Sequence, residues 1–316
     1  MSQVKSRRRV WIGRLQAALV GLIIGSIIAL LIRLWDQIQR IPWRFNGWYL
    51  SLSVVLLVMG IVGWAIVWSW MLQRLGKQRL PLRETASVYI YGNAAKYVPG
   101  AVWNYFARVY LGQRQGVEMR RMWIANLIEI LVSLCTGLIL YGGSLLWPHI
   151  HRPFLPKQLI VILITALLAV ISPPVLHVLD SSVRKLYGQS SQHEPVLLSW
   201  SNLVAYVVFS CITWLLIGLA FYFLVQSVYR LPLDYLPEAI GVWSLSVVAG
   251  LAAIGIPQGL GVKEGILVMA MNAVVPLPVA LSISVLSRVW LIVCDLVATL
   301  SWWLVETALT KCGGDI

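Results

Sequence analysis

Seven charged residues stand where an apolar sequence gives them little water. Lys96 precedes Pro99-Gly100, with Asn93 one helical turn before it, and Lys263-Glu264 follows Pro257-Gln258-Gly259-Leu260-Gly261-Val262. A helix that restarts after Pro and Gly presents free backbone N–H groups, and an adjacent lysine makes that end an anion site. A lipid phosphate is the anion most available at membrane depth. The plainer alternatives are that Lys96 snorkels to the headgroups and that Lys263 pairs with Glu264. Glu129 lies within another apolar run, with Asn126 and Ser133 on its helical face. A carboxylate is costly in lipid, so it must face protein, as a packing hydrogen bond, or line a wet cavity. Arg288, Asp295 and Glu306 are spaced by seven and eleven residues, which at about 100° per residue brings them to one helix face. Arg288 and Asp295 then lie about 10 Å apart along the axis, so only bridging groups can join them. Glu306 reads equally as interfacial.

No enzyme chemistry accompanies these residues. The sequence lacks a Walker loop, a GxSxG elbow, an HExxH motif and paired-Cys spacing. His149 and His151 sit beside aromatics on a loop and read as interfacial, so neither a metal site nor a cofactor is expected. Cys135, Cys211, Cys294 and Cys312 read as small apolar fillers.

The elements that carry the charges follow from composition. Of 316 residues, 59% are apolar and 12% charged, against about 25% charged in a soluble domain. Mean hydropathy is +0.80. A soluble enzyme, a disulfide scaffold and a disordered chain are excluded. The fold class is an all-α polytopic membrane protein, one integral membrane domain over residues 1–316. Six runs read as spans: Val10–Ile32 (retained, since it is too long for a signal peptide), Trp48–Leu72, Met122–Trp147, Gln158 to about Ile171, Pro195–Tyr229, and about Pro278–Leu309. Pro173-Pro174 should end or kink the fourth, and the fifth exceeds one bilayer and should begin as an interfacial segment. Two stretches, Glu84–Gly112 and Glu238–Val275, are semi-apolar and broken by Pro and Gly. They read as re-entrant segments, because irregular backbone at membrane depth is tolerated only in protein or against a wet cavity.

The net charge of +13 tracks loops beside the spans and does not call for nucleic acid. With the amino terminus cytoplasmic and both broken stretches returning to the side they left, 17 of the 25 basic residues fall inside and 6 outside, a bias that places both termini in the cytoplasm of a multi-pass cell-membrane protein. Lys96, Arg108 and Arg114 belong to the inside count. On this topology the order span, span, broken stretch, span occurs twice with opposite starting sides, in halves of about 10–148 and 156–310. Gly/Pro-interrupted segments at matching positions of an inverted repeat are a transporter signature.

These motifs are also familiar. Asn93-Ala94-Ala95-Lys96-Tyr97-Val98-Pro99-Gly100-Ala101-Val102-Trp103 resembles the Gly-Lys-Tyr-hydrophobic-Pro-Gly segment of the lysylphosphatidylglycerol synthase transmembrane family, the flippase-domain family of the multiple peptide resistance factor. Ile256-Pro257-Gln258-Gly259-Leu260-Gly261-Val262-Lys263-Glu264-Gly265 is similar to its second motif. Glu129 matches the acid in the span after the first motif, and Arg288 the arginine in the span after the second. Gln258 stands where the family has Gly, Lys263 where it has Arg, and Ile130 where an Arg commonly follows the acid. The resemblance implies a lipid-translocating membrane domain with re-entrant helices. With no aminoacyl-transferase segment before Ile316, lysyl-lipid synthesis is not expected of this chain.

The expected function is translocation of an anionic phospholipid or a polyprenyl-phosphate-linked lipid. Asn93, Lys96, Pro99, Gly100, Pro257, Gly259, Gly261, Lys263 and Glu264 would bind the headgroup. Glu129, Arg288 and Asp295 would line a charged cavity, with proton coupling open to the carboxylates. The alternative is a non-transporting accessory subunit of a cell-envelope glycolipid or glycosyltransferase system. A homo-oligomer is compatible with either.

Overall fold

The computed structural model describes Ala29 and residues 32–75, 80–97, 102–147, 154–186, 198–253 and 256–312. The first expected span lies almost wholly outside these residues, as do Pro99 and Gly100. The described chain is all-helical. It comprises α1 (Trp35–Gln39), α2 (Gly47–Arg74), α3 (Leu82–Ala94), α4 (Trp103–Arg114), α5 (Met119–Ser144), α6 (Lys157–Val170), α7 (Pro173–Leu186), α8 (Trp200–Val228), α9 (Leu236–Ala252), α10 (Val262–Met271) and α11 (Leu277–Cys312). Five stretches are long and apolar enough to cross a membrane: Gly47–Arg74, Met119–Ser144, Trp200–Val228, Leu233–Ala252 and Leu277–Ala308.

Local chemistry sets the boundaries. The Asn46 side chain accepts from the Trp48 and Tyr49 amides at 3.0 and 3.3 Å and starts α2, as an N-cap should. Ser199 does the same for α8 through the Asn202 amide. The α4 helix stops at Gly116, whose φ of +82° only glycine takes freely. There the Val117 amide turns back to the Gly112 carbonyl at 3.0 Å. The expected fourth span is α6, 14 residues long and about 21 Å. It ends before Pro173, where α7 begins, and falls short of the roughly twenty residues a span needs.

Each broken stretch is two helices packed on each other. The pair α3 and α4, of 13 and 12 residues, is too short for either arm to cross. The second pair is unequal. With the 3₁₀ turn before it, α9 makes a 20-residue stretch long enough to cross, whereas α10 has 10 residues, about 15 Å. The re-entrant reading of Glu238–Val275 is therefore corrected for its first arm, which is long and apolar enough to cross.

Lipid tails give packed helices no hydrophobic advantage, so close approach at small residues decides which faces meet. A Cβ on Gly60 of α2 would lie 2.5 Å from Ile217 of α8, and the Ser53 hydroxyl donates to the Ala220 carbonyl across the same interface at 2.7 Å. Gly137 of α5 faces Val248 of α9, and Gly241 of α9 faces Ser144 of α5, with virtual Cβ distances of 2.4 and 2.0 Å. The pairings are reciprocal: α5 packs on α9 of the second hairpin, while α11 packs on α3 of the first. Leu127, Val161, Val204, Val289 and Leu300 point outward, the face an apolar solvent would cover.

Candidate functional site

The tips of the two hairpins meet on one face of α11. From the first tip, Lys96 in the 3₁₀ turn after α3 pairs with Asp295 at 2.6 Å, and the neighbouring Tyr97 hydroxyl donates to the same carboxylate. Asn93 lies half-buried one turn earlier. From the second tip, Glu264 of α10 pairs with the Arg288 Nε at 3.1 Å. The two halves are joined by Gln258, whose side-chain amide donates to the Lys96 carbonyl at 2.7 Å and accepts from Arg288 Nη1 at 3.5 Å. This is the bridge that the 10 Å separation of Arg288 and Asp295 required. Ser284, on the same face of α11, donates to the Glu264 carbonyl at 3.4 Å.

The second tip has a left-handed backbone. Gln258, Gly259 and Gly261 have φ of +50°, +60° and +85°. A Cβ on Gly259 would stand 2.3 Å from the Cα of Gly250 on α9, so this backbone lies directly on its hairpin partner and only glycine fits. Pro257 opens the turn. The helix that follows is not the open anion site expected from sequence. The second carboxylate oxygen of Glu264 accepts from the Gly261 amide at 2.6 Å and caps α10. Glu264 thus serves Arg288 with one oxygen and its own helix start with the other, and Lys263 is left out of the expected pair.

Lys263 is 6% exposed. Its ammonium lies over the Trp243 ring, 4.2 Å from the centroid. Among the described residues it has no ion-pair partner within 4 Å, although Arg288, Glu264, Lys96 and Asp295 are its electrostatic neighbours. The junction holds three cations (Lys96, Lys263, Arg288) and two carboxylates (Glu264, Asp295), a net charge of +1. Among the described residues Arg288 Nη2, also buried, has no hydrogen-bond partner. A cation–π contact offsets only part of the cost of burying an ammonium.

Glu129 is not part of this junction. It pairs with Arg108 of α4 at 2.5 Å and accepts from the Tyr89 hydroxyl at 2.8 Å. The Arg108 guanidinium stacks on the Tyr89 ring at 3.7 Å from its centroid. Glu129 is thus a buried packing partner holding α3, α4 and α5 together, and the shared cavity lining with Arg288 and Asp295 is corrected. Arg108, at 1% exposure, is likewise no loop cation. Glu306, at the far end of α11, accepts from the Ser87 and Tyr91 hydroxyls of α3, and its carbonyl accepts from Arg83 at 2.9 Å. It is a tether between α11 and α3.

Sequence reasoning missed Arg108, Tyr89, Tyr97, Trp243 and the use of Gln258. A signal existed for Arg108. The chain turns at Gly116, with Arg108 eight residues before it and Glu129 thirteen after. In a helical hairpin that offset of five residues is about 7 Å, within the combined reach of the two side chains.

No curated protein matches this chain. The sequence model of the family described as the lysylphosphatidylglycerol synthase TM region matches residues 18–298, which include both hairpins, α11 as far as Ala298 and every candidate residue named above except Glu306. The chain belongs to the lysylphosphatidylglycerol synthase transmembrane family.

Proposed function

We propose that this protein translocates an anionic lipid, a phospholipid or a polyprenyl-phosphate-linked lipid, across the cytoplasmic membrane without making or breaking covalent bonds. The observation that carries the reading is the surplus cation at the hairpin junction. Lys263 is buried and has no described carboxylate partner, in a cluster of net charge +1 that contains a second donor, Arg288 Nη2, without a partner among the described residues. A phosphodiester monoanion would neutralise the cluster, with Lys263 as a point charge and Arg288 Nη2 as a directional donor. Lys96 would hold Asp295 out of the way of the anion, and Glu264 would do the same service for the α10 start, so that the binding charge is concentrated on one lysine. The two hairpins would belong to the inverted halves of a repeat, and their rocking against each other would expose the junction to one side and then the other. On this reading both termini are cytoplasmic.

The test is headgroup movement in liposomes containing only this protein, with a short-chain labelled phosphatidylglycerol as probe. Faster exchange between leaflets than in protein-free vesicles supports translocation. Equal exchange with and without the protein would favour an accessory subunit that acts with an enzyme partner.

A further inference from the structure

We infer that Gln258 is a positioning residue that latches the two hairpin tips together and holds the Arg288 guanidinium in place, an inference that rests on the proposed function for its consequence but not for its geometry. Gln258 is the one non-glycine residue with positive φ among the described residues, at φ 50° and ψ 29°. A side chain with a Cβ is disfavoured there, so its backbone gains nothing from being glutamine. The side chain supplies the compensation. Its amide nitrogen donates to the Lys96 carbonyl of the other hairpin at 2.7 Å, and its amide oxygen accepts from Arg288 Nη1. A primary amide carries a donor and an acceptor on one planar group and so makes both links at once. The residue therefore occupies one terminal nitrogen of Arg288 and leaves Nη2 as the donor facing an incoming anion. For the tips to part and pass a headgroup, the Gln258–Lys96 bond must break, together with the Lys96–Asp295 pair if α11 stays with the second hairpin, or with the Gln258–Arg288 bond if α11 stays with the first.

Two variants separate the latch from the backbone. Gln258→Met keeps the side-chain length and the strained backbone but loses both hydrogen bonds. Gln258→Gly loses both bonds and relieves the strain, so it should be no less thermally stable than the parent. The readout is hydrogen–deuterium exchange of the protein in lipid nanodiscs, taken at residues 93–97 of the opposite hairpin, which the Gln258 side chain reaches through the Lys96 carbonyl. The latch predicts exchange about tenfold faster at 93–97 in both variants, the equivalent of about 1.4 kcal/mol or one to two neutral hydrogen bonds. Unchanged exchange at 93–97 in either folded variant overturns it, as does acceleration confined to residues 256–265. A latch confirmed by exchange in a protein that moves no lipid would leave this inference standing and remove the proposed function.

Discussion

The two buried cations of this fold should respond in opposite ways to the same substitution. Arg108 is 1% exposed, 2.5 Å from a Glu129 oxygen and stacked on Tyr89. Gly92 makes room for it, since a Cβ there would lie 2.4 Å from Arg108 Cγ. Arg108→Met leaves Glu129 buried with one phenol hydroxyl as its described partner. Breaking a buried pair from one side costs about 3–5 kcal/mol, most of it the stranded charge. At roughly 2–4 °C per kcal/mol for a chain of this size, the thermal midpoint should fall on the order of 10 °C. Glu129→Gln strands the guanidinium and should cost a similar amount. The double variant Arg108→Met/Glu129→Gln removes both charges and should recover most of the loss. Lys263→Met, by contrast, strands no described partner and gives up a cation–π contact of about 0.5–2 kcal/mol while removing a desolvated charge, so its midpoint should stay within a few degrees of the parent. The assay is thermal unfolding of purified protein in detergent or nanodiscs, followed by size-exclusion fluorescence. A stable Arg108→Met protein, or a double variant no better than its parents, would refute the assignment of this pair to structure. An unfolded Lys263→Met protein would refute the assignment of Lys263 to ligand.

Three further outcomes are expected. Gly241→Val should sharply lower the yield of folded protein, because its first side-chain carbon meets Ser144 Oγ at a virtual 2.0 Å in the α5–α9 interface; the recovery of monodisperse protein after extraction measures it. Asp295→Asn should weaken translocation with a loss of stability of at most a few kcal/mol, since it unpairs Lys96 at a partly exposed site (side-chain exposure 21%) and leaves the Tyr97 hydroxyl an amide oxygen to bond; parallel transport and unfolding measurements separate the two effects. Single cysteines at positions 83, 114 and 184 should react with an impermeant maleimide only from the cytoplasmic side, and those at 152 and 230 only from outside; labelling of 114 but not 152 from outside would invert the proposed orientation.

Composition and local motif made the broad architecture legible, because lipid demands long uncharged helices and Pro-Gly breaks at membrane depth demand protein around them. Thus α2, α5, α8 and α11 begin and end within a few residues of the apolar runs. The junction was half legible. Lys96, Lys263, Glu264, Arg288 and Asp295 are conspicuous as charges without water, and the geometry brings all five together. Their partners were not legible, because pairing across hairpins is a tertiary fact: adjacency suggested Lys263 with Glu264, whereas the restart of α10 turns Glu264 back to the Gly261 amide and aims its other oxygen at Arg288. By sequence Gln258 is only a departure from the family pattern, whereas in the fold its side chain reaches Lys96 of the other tip and Arg288 of α11. Arg108 was hidden among loop cations because charge counts do not register the helical hairpin that carries it beneath α3 and onto Glu129.

The most direct test of the central claim compares leaflet exchange of a labelled anionic lipid by the parent protein, Lys263→Met and Lys263→Arg, each reconstituted alone in vesicles at matched density. The account predicts exchange by the parent, its loss in a folded Lys263→Met protein, and its retention in Lys263→Arg, where a guanidinium replaces one phosphate-binding cation with another. Undiminished exchange by Lys263→Met would contradict it.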